Sequence, residues 1–135
     1  MSKVRVVAFT AIAAVVTLAW VLPAAAHHAA AKGTTVNVTA GKPSEFRFTL
    51  SVKSVPHGAV TSKVTNRGAL PHSFEACSSP KGGLANTCVG KATAVISPGS
   101  SATLKVIYKT AGTYEYLCTV AGHAAAGQKG VLKVT

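Results

Sequence analysis

The chain contains no aspartate and only three glutamates, Glu45, Glu75 and Glu115, in 135 residues. Hydrolytic chemistry with paired carboxylates needs two acids together, and a nucleophile triad needs an acid behind its histidine. Three glutamates and no aspartate make either arrangement a poor candidate, and no serine or cysteine stands in a pattern that supplies it with a matching base. Enzymatic bond chemistry is therefore not expected. Methionine is equally scarce: Met1 is the only one, so any metal site in the rest of the chain must do without a thioether. No cysteine precedes Cys77, which leaves no residue for a lipid-modified N-terminal cysteine. No basic block is interleaved with stacking aromatics, so nucleic acid is a poor candidate partner. After residue 26, no apolar pattern of helical period runs for three turns.

What is present begins with a basic stub, Lys3 and Arg5, then an uncharged stretch over 6–26 that closes on Ala24-Ala25-Ala26. That order resembles a secretory signal with a small-residue cleavage site before His27, although the stretch is also long enough to serve as an uncleaved anchor. Pro23 and the alanine run favour cleavage. Residues 27–33 read as a flexible lead, and residues 34–135 as one domain, enough chain for one core and too little for two. Of the fourteen basic residues, only Lys3 and Arg5 precede residue 27, which leaves about +9 on the remainder with histidines neutral. Such a field speeds encounters with acidic surfaces. The lysines are nevertheless scattered, as they also would be if they served solubility alone.

Thr35–Thr39 and Glu45–Val52 alternate apolar with polar residues and are separated by Gly41-Lys-Pro-Ser44. Alternation punctuated by Gly and Pro predicts strands joined by turns. Further strands are predicted over Val60–Thr65, Ser100–Tyr108, Thr113–Cys118 and Gly130–Thr135. Many short strands with no internal repeat predict an all-β fold, a single-domain β-sandwich. A period of two in Pro71-His-Ser-Phe-Glu-Ala76 turns His72, Phe74 and Ala76 to the core and Ser73 and Glu75 away from it. By the same rule Cys118 shares the core face of Tyr114 and Tyr116, and Glu115 points away.

Residues 118–128 read Cys-Thr-Val-Ala-Gly-His-Ala-Ala-Ala-Gly-Gln, a Cys-x4-His-x4-Gln loop following an alternating strand. Gly122 and Gly127 allow its turns. One thiolate (Cys118), two imidazoles (His72 and His123) and a weak axial amide oxygen (Gln128) form the ligand set of an electron-transfer copper site. An odd cysteine in an exported domain needs a purpose. Cys77 and Cys88 are expected to pair across a flexible Ser-Pro-Gly-containing loop, freeing Cys118 as a thiolate; any pairing through Cys118 would abolish the site. His57 lies in turn-like Val55-Pro-His-Gly58 and is given no role. His27 and His28 read as a solvated tail.

The Tyr-x-Tyr-x-Cys118 strand, the trailing Gly-x-Leu-x-Val134 strand and the upstream Asn66-x-Gly-x3-His72 occur in one order that resembles the cupredoxins, the family of plastocyanin, azurin, pseudoazurin and stellacyanin. The resemblance covers roughly residues 34–135. It implies a Greek-key β-sandwich binding one copper ion in a type 1 site and passing single electrons through the His123 edge. The three alanines after His123 would give partners a close apolar approach. Three positions depart from the family pattern. Gln128 stands where most relatives carry Met, as in the stellacyanin-like subset, which predicts a lower reduction potential. Ala121 replaces a common proline, and Ser73 replaces an Asn that bonds to the cysteine loop, so a weaker link is expected there. The resulting expectation is an exported periplasmic or extracellular monomer that exchanges electrons with redox proteins bearing acidic docking surfaces, and that meets a membrane only through an uncleaved leader. A copper-delivery module without redox turnover and a metal-free, partner-binding sandwich are the alternatives.

Overall fold

The structure, a computed structural model, describes residues 33–80 and 84–135. The expected signal over 1–26 and nearly all of the lead over 27–33 lie outside the described residues. Nine strands are found among those described: β1 Thr34–Ala40, β2 Phe48–Leu50, β3 Ser54–Val55, β4 Gly58–Asn66, β5 Glu75–Cys77, β6 Gly90–Ala92, β7 Ser101–Tyr108, β8 Gly112–Leu117 and β9 Lys129–Val134. They form a four-stranded sheet, in the order β2-β1-β4-β7, and a five-stranded sheet, in the order β3-β9-β8-β5-β6. The predicted all-β sandwich is the observed architecture.

The alternating sequence makes the core. In β1, Val36, Val38 and Ala40 are buried while Asn37 is exposed, and β4 repeats the pattern with Val60 and Val64. These two strands run parallel in register, Val36 opposite Ser62 and Val38 opposite Val64. The second sheet contributes Phe74, Ala76, Tyr114, Leu132 and Val134 to the same apolar layer. Each large apolar side chain removed from water here is worth about 1.5–3 kcal/mol. One end of this layer is aromatic: Phe48 meets Phe74 edge-on at 5.2 Å, and Phe74 stacks on Tyr116 at 5.5 Å. Two of its members stand next but one to the site in sequence, Phe74 after His72 and Tyr116 before Cys118.

One parity expectation needs correction, and the face on which another places its residue is not open to solvent. Ser73 is 1% exposed rather than outward-facing, because His72 belongs to a single bridge with Ile96 and regular pairing resumes only at Glu75. Without a continuous ladder the period of two does not hold across 72–74. Glu115 does lie on the opposite side of β8 from Tyr114, yet that side is not solvent: the segment around Ala85 covers it, and the Ala85 amide donates to its Oε1 at 2.8 Å. Another difference is in the predicted strand 45–52, of which only Phe48–Leu50 is extended. Glu45 and Phe46 sit in a turn, with the Gly41 amide donating to the Arg47 carbonyl at 2.9 Å.

Candidate metal centre

The loop after β8 is tied at its base, where the Cys118 amide donates to the Gln128 carbonyl at 3.0 Å. Inside it, Ala126 donates to Gly122 at 2.9 Å and Gln128 donates to His123 at 2.9 Å, a helix-like turn carrying His123 back over Cys118. Gly122 and Gly127 have φ of 81° and 110°, a region that disfavours any side chain, so both expected turn glycines are required as such.

His72 is placed by its bridge to Ile96, donating to that carbonyl at 3.1 Å and accepting at 2.6 Å. The turn before it is organised by Asn66, which is fully buried. Asn66 Nδ2 donates to the carbonyls of Leu70 and Ile96, each at 2.8 Å, and its Oδ1 accepts from the Gly68 amide at 2.9 Å. Every polar group of this one side chain is thereby used.

Three buried side chains meet as a result: one donor atom from each of His72, Cys118 and His123 lies within 4.8 Å of the others. The two histidine Nδ1 atoms are 3.2 Å apart, and Cys118 Sγ is 3.6 Å from His123 Nδ1. Gln128 joins them, its Oε1 3.2 Å from His123 Nδ1, while its Nε2 has no hydrogen-bond partner. A buried amide with an orphaned donor costs about 1–3 kcal/mol, so packing alone does not account for its place here. The donor set of one thiol, two imidazoles and one amide fits a transition ion that accepts sulfur and nitrogen. All four expected ligand positions are brought together. His57 is apart from them, exposed and paired with the Thr135 carbonyl.

Around Cys118 the cage is tighter than the sequence suggested. Ser73 reaches the cysteine loop after all: its Oγ accepts from the Thr119 amide at 2.8 Å and shares a hydrogen bond with Thr119 Oγ1 at 2.6 Å. Its own amide donates to Cys118 Sγ at 3.4 Å. The expected weak link is thus replaced by a double one, because Ser73 faces the loop rather than solvent. Cys77 and Cys88 form a disulfide with a Cα–Cα distance of 5.7 Å, and Cys118 is the free cysteine.

Glu45 is the participant that sequence reasoning missed. Its Oε1 accepts from His72 Nε2 at 2.8 Å and from the Leu70 amide at 2.9 Å, and its Oε2 accepts from the Ala69 amide at 2.9 Å. The Ala69 and Leu70 amides hold its carboxyl down at about 2, against an opposing effect of burial, with the His72 bond as a lesser contribution in the same direction as the amides. An ionised carboxylate only accepts, so the proton sits on His72 Nε2 and the Nδ1 lone pair faces the other donors. The available signal was the scarcity of acids itself, together with Gly68 four residues before His72. Glu75, by contrast, stays away from the cluster at the half-buried start of β5, where burial pushes its carboxyl up.

The family profile of the cupredoxin-like domain matches residues 11–132. The chain belongs to the cupredoxin family. Solved structures similar to this cupredoxin include the dithionite-reduced auracyanin of Roseiflexus castenholzii, 24% identical with a TM-score of 0.60 over 76% of this chain and 98% of that one. Rusticyanin from Thiobacillus ferrooxidans is 28% identical, with a TM-score of 0.57 over 77% of this chain and 79% of that one. Auracyanin A of Chloroflexus aurantiacus, a "blue" copper protein, is 20% identical, with a TM-score of 0.56 over 77% of this chain and 100% of that one. No curated protein sequence matches significantly.

Proposed function

We propose that this cupredoxin is an exported type 1 copper protein that carries single electrons between redox partners and catalyses no bond chemistry. The observation that carries the reading is the convergence of three buried donors, His72, Cys118 and His123, within 4.8 Å of one another in a family whose solved members include copper proteins. His72, Cys118 and His123 would hold the ion and Gln128 would offer a weak axial oxygen. Copper, when bound, supplies a one-electron Cu(II)/Cu(I) couple.

The chain's own part is to keep that ligand set still and dry. His72 and Gln128 are fully buried and Cys118 is 1% exposed, so water is kept from the donors. The two-ended closure of the 118–128 loop and the Ser73–Thr119 bonds restrain the thiolate and His123 in any oxidation state, which keeps reorganisation on electron transfer small. His123 alone of the two imidazoles reaches the surface, at 9% exposure. With Nδ1 turned inward, the opposite ring edge is the route outward. Of the three alanines after His123, Ala124 is buried rather than exposed, and Ala125 and Ala126, with Ala121 before the histidine, are the exposed ones that offer a partner a close apolar contact. The excess of basic over acidic residues favours partners with acidic docking surfaces.

The basic stub and apolar stretch at residues 3–26 support export to the periplasm or the extracellular space, with a membrane anchor as the outcome if the leader is not cut. Among the described residues no helix is long and apolar enough to cross a membrane. The deciding experiment is the visible spectrum of the purified protein with one equivalent of Cu(II). An intense band towards the red, from charge transfer between the Cys118 sulfur and copper, is the expected result. A colourless protein that binds Cu(I) alone would favour the delivery module, and one that takes up no copper would favour a metal-free sandwich.

A further inference from the structure

We infer that Glu45 is a positioning residue for the metal centre: its carboxylate fixes the tautomer and orientation of His72 and biases the site towards the oxidised ion. The inference rests on the copper reading above and adds to it a residue outside the four ligand positions.

The first support is geometric. Glu45 bonds at once to the ligand imidazole, at 2.8 Å, and to the amides of Ala69 and Leu70 that lead into it, each at 2.9 Å. One side chain from the β1–β2 connection therefore anchors both the ring of His72 and the backbone that delivers it. The second support is the space cleared for this contact. A Cβ on Gly68 would overlap Glu45 Oε1 and lie 2.8 Å from His72 Nε2. A Cβ on Gly41, which has φ of 77°, would overlap the Gly68 backbone. Two glycines thus let the 41–47 turn press against residues 67–70, and any larger residue at position 68 would push carboxylate and imidazole apart. The third support is composition. Only three carboxylates exist in the chain, and one of them is committed to the imidazole of a candidate ligand.

The chemistry follows from the charge. A carboxylate accepting from the far nitrogen of a ligating histidine makes the near nitrogen more basic and adds negative charge close to the ion. Both effects favour Cu(II) over Cu(I). The effect also has a direction that simple packing lacks: removing the charge at constant shape must raise the reduction potential. Gln at position 45 keeps the size but has one acceptor end: either its NH2 group faces the Ala69 amide, or it faces the Leu70 amide and the His72 ring, and the second arrangement favours the other His72 tautomer.

The test uses the full protein and Glu45→Gln, with Gly68→Ala as a second variant that keeps the charge but displaces it. In the metal-free protein, long-range nitrogen–proton NMR should find the His72 ring as a single tautomer protonated on Nε2, and in Glu45→Gln as a mixture. In the copper-loaded protein, Cu(II) affinity should fall roughly 10- to 100-fold in Glu45→Gln, more than Cu(I) affinity does, while the intense visible band persists. Each tenfold difference between the two ions raises the potential by about 59 mV. Gly68→Ala should move the potential the same way. An unchanged or lower potential in Glu45→Gln, or an unchanged His72 tautomer, overturns the assignment. If the wild-type protein bound no copper, the copper reading would fall, and the tautomer measurement would still decide whether Glu45 sets the ring.

Discussion

Replacing Gln128 with Met separates the metal role of that residue from its place in the core. Gln128 is fully buried, its Oε1 lies 3.2 Å from His123 Nδ1, and its Nε2 is unpartnered. In the metal-free protein, Met removes an orphaned amide donor that costs about 1–3 kcal/mol and loses one neutral contact worth about 0.5–1.5 kcal/mol. Met has nearly the same length and fills the same space without polar atoms. The net expectation is a gain centred on about 1 kcal/mol, from the midpoints of the two ranges, read as a Tm increase of roughly 4–8 °C for a domain of this size. In the copper-loaded protein, a soft thioether takes the place of a harder amide oxygen and favours Cu(I), so the potential should rise. An upward shift of roughly 100 mV corresponds to about 2.3 kcal/mol for one electron. Calorimetry of the metal-free protein and voltammetry of the copper-loaded protein, both at one pH, read the two effects separately. A potential that stayed level or fell would remove Gln128 from the ligand set. A lower Tm in the metal-free variant would refute the account of the orphaned amide.

Cys118→Ser should abolish the intense colour and most Cu(II) affinity while changing the stability of the metal-free fold by only about 1 kcal/mol, since one buried sulfur is exchanged for a hydroxyl that the Ser73 amide can still serve; a mutant of equal colour would contradict the thiolate assignment. Asn66→Ala takes the side-chain partner from the Leu70 carbonyl and the Gly68 amide, while the Ile96 carbonyl keeps the His72 amide, and should cost about 2–4 kcal/mol in chemical denaturation, with copper affinity falling because His72 loses its turn. Burial, with the adjacent Tyr114 as a lesser cause, pushes the Tyr108 hydroxyl up to about 12. The unfolded chain therefore loses that proton near pH 10 while the folded chain keeps it, so stability should fall as pH rises between about 10 and 12 and the fall should be shallower in Tyr108→Phe. Tyrosinate absorbance that appears well before unfolding and is missing from Tyr108→Phe would count against this account.

Local pattern determined a good deal of this protein. Val36, Val38, Val60 and Val64 alternate with polar neighbours, and a period of two places them in one layer whatever lies opposite, so the sandwich was legible from the chain alone. The 118–128 loop was legible for the same reason: Cys118, His123 and Gln128 are close in sequence, and Gly122 and Gly127 mark where its backbone must turn. Contacts between distant segments carry no such periodic signal. Ser73 was read as turned away from the core and only weakly linked to the cysteine loop because parity assumes a continuous ladder, whereas only the packed fold brings Thr119 Oγ1 within 2.6 Å of it. Glu45 was read as part of a strand, and its bonds to His72, Ala69 and Leu70 exist only because Gly41 and Gly68 let two turns remote in sequence touch. Sequence spacing thus determined which residues could bind a metal. Tertiary packing decided which groups hold those residues in place, because such support depends on close approach in space between segments whose order along the chain does not encode it.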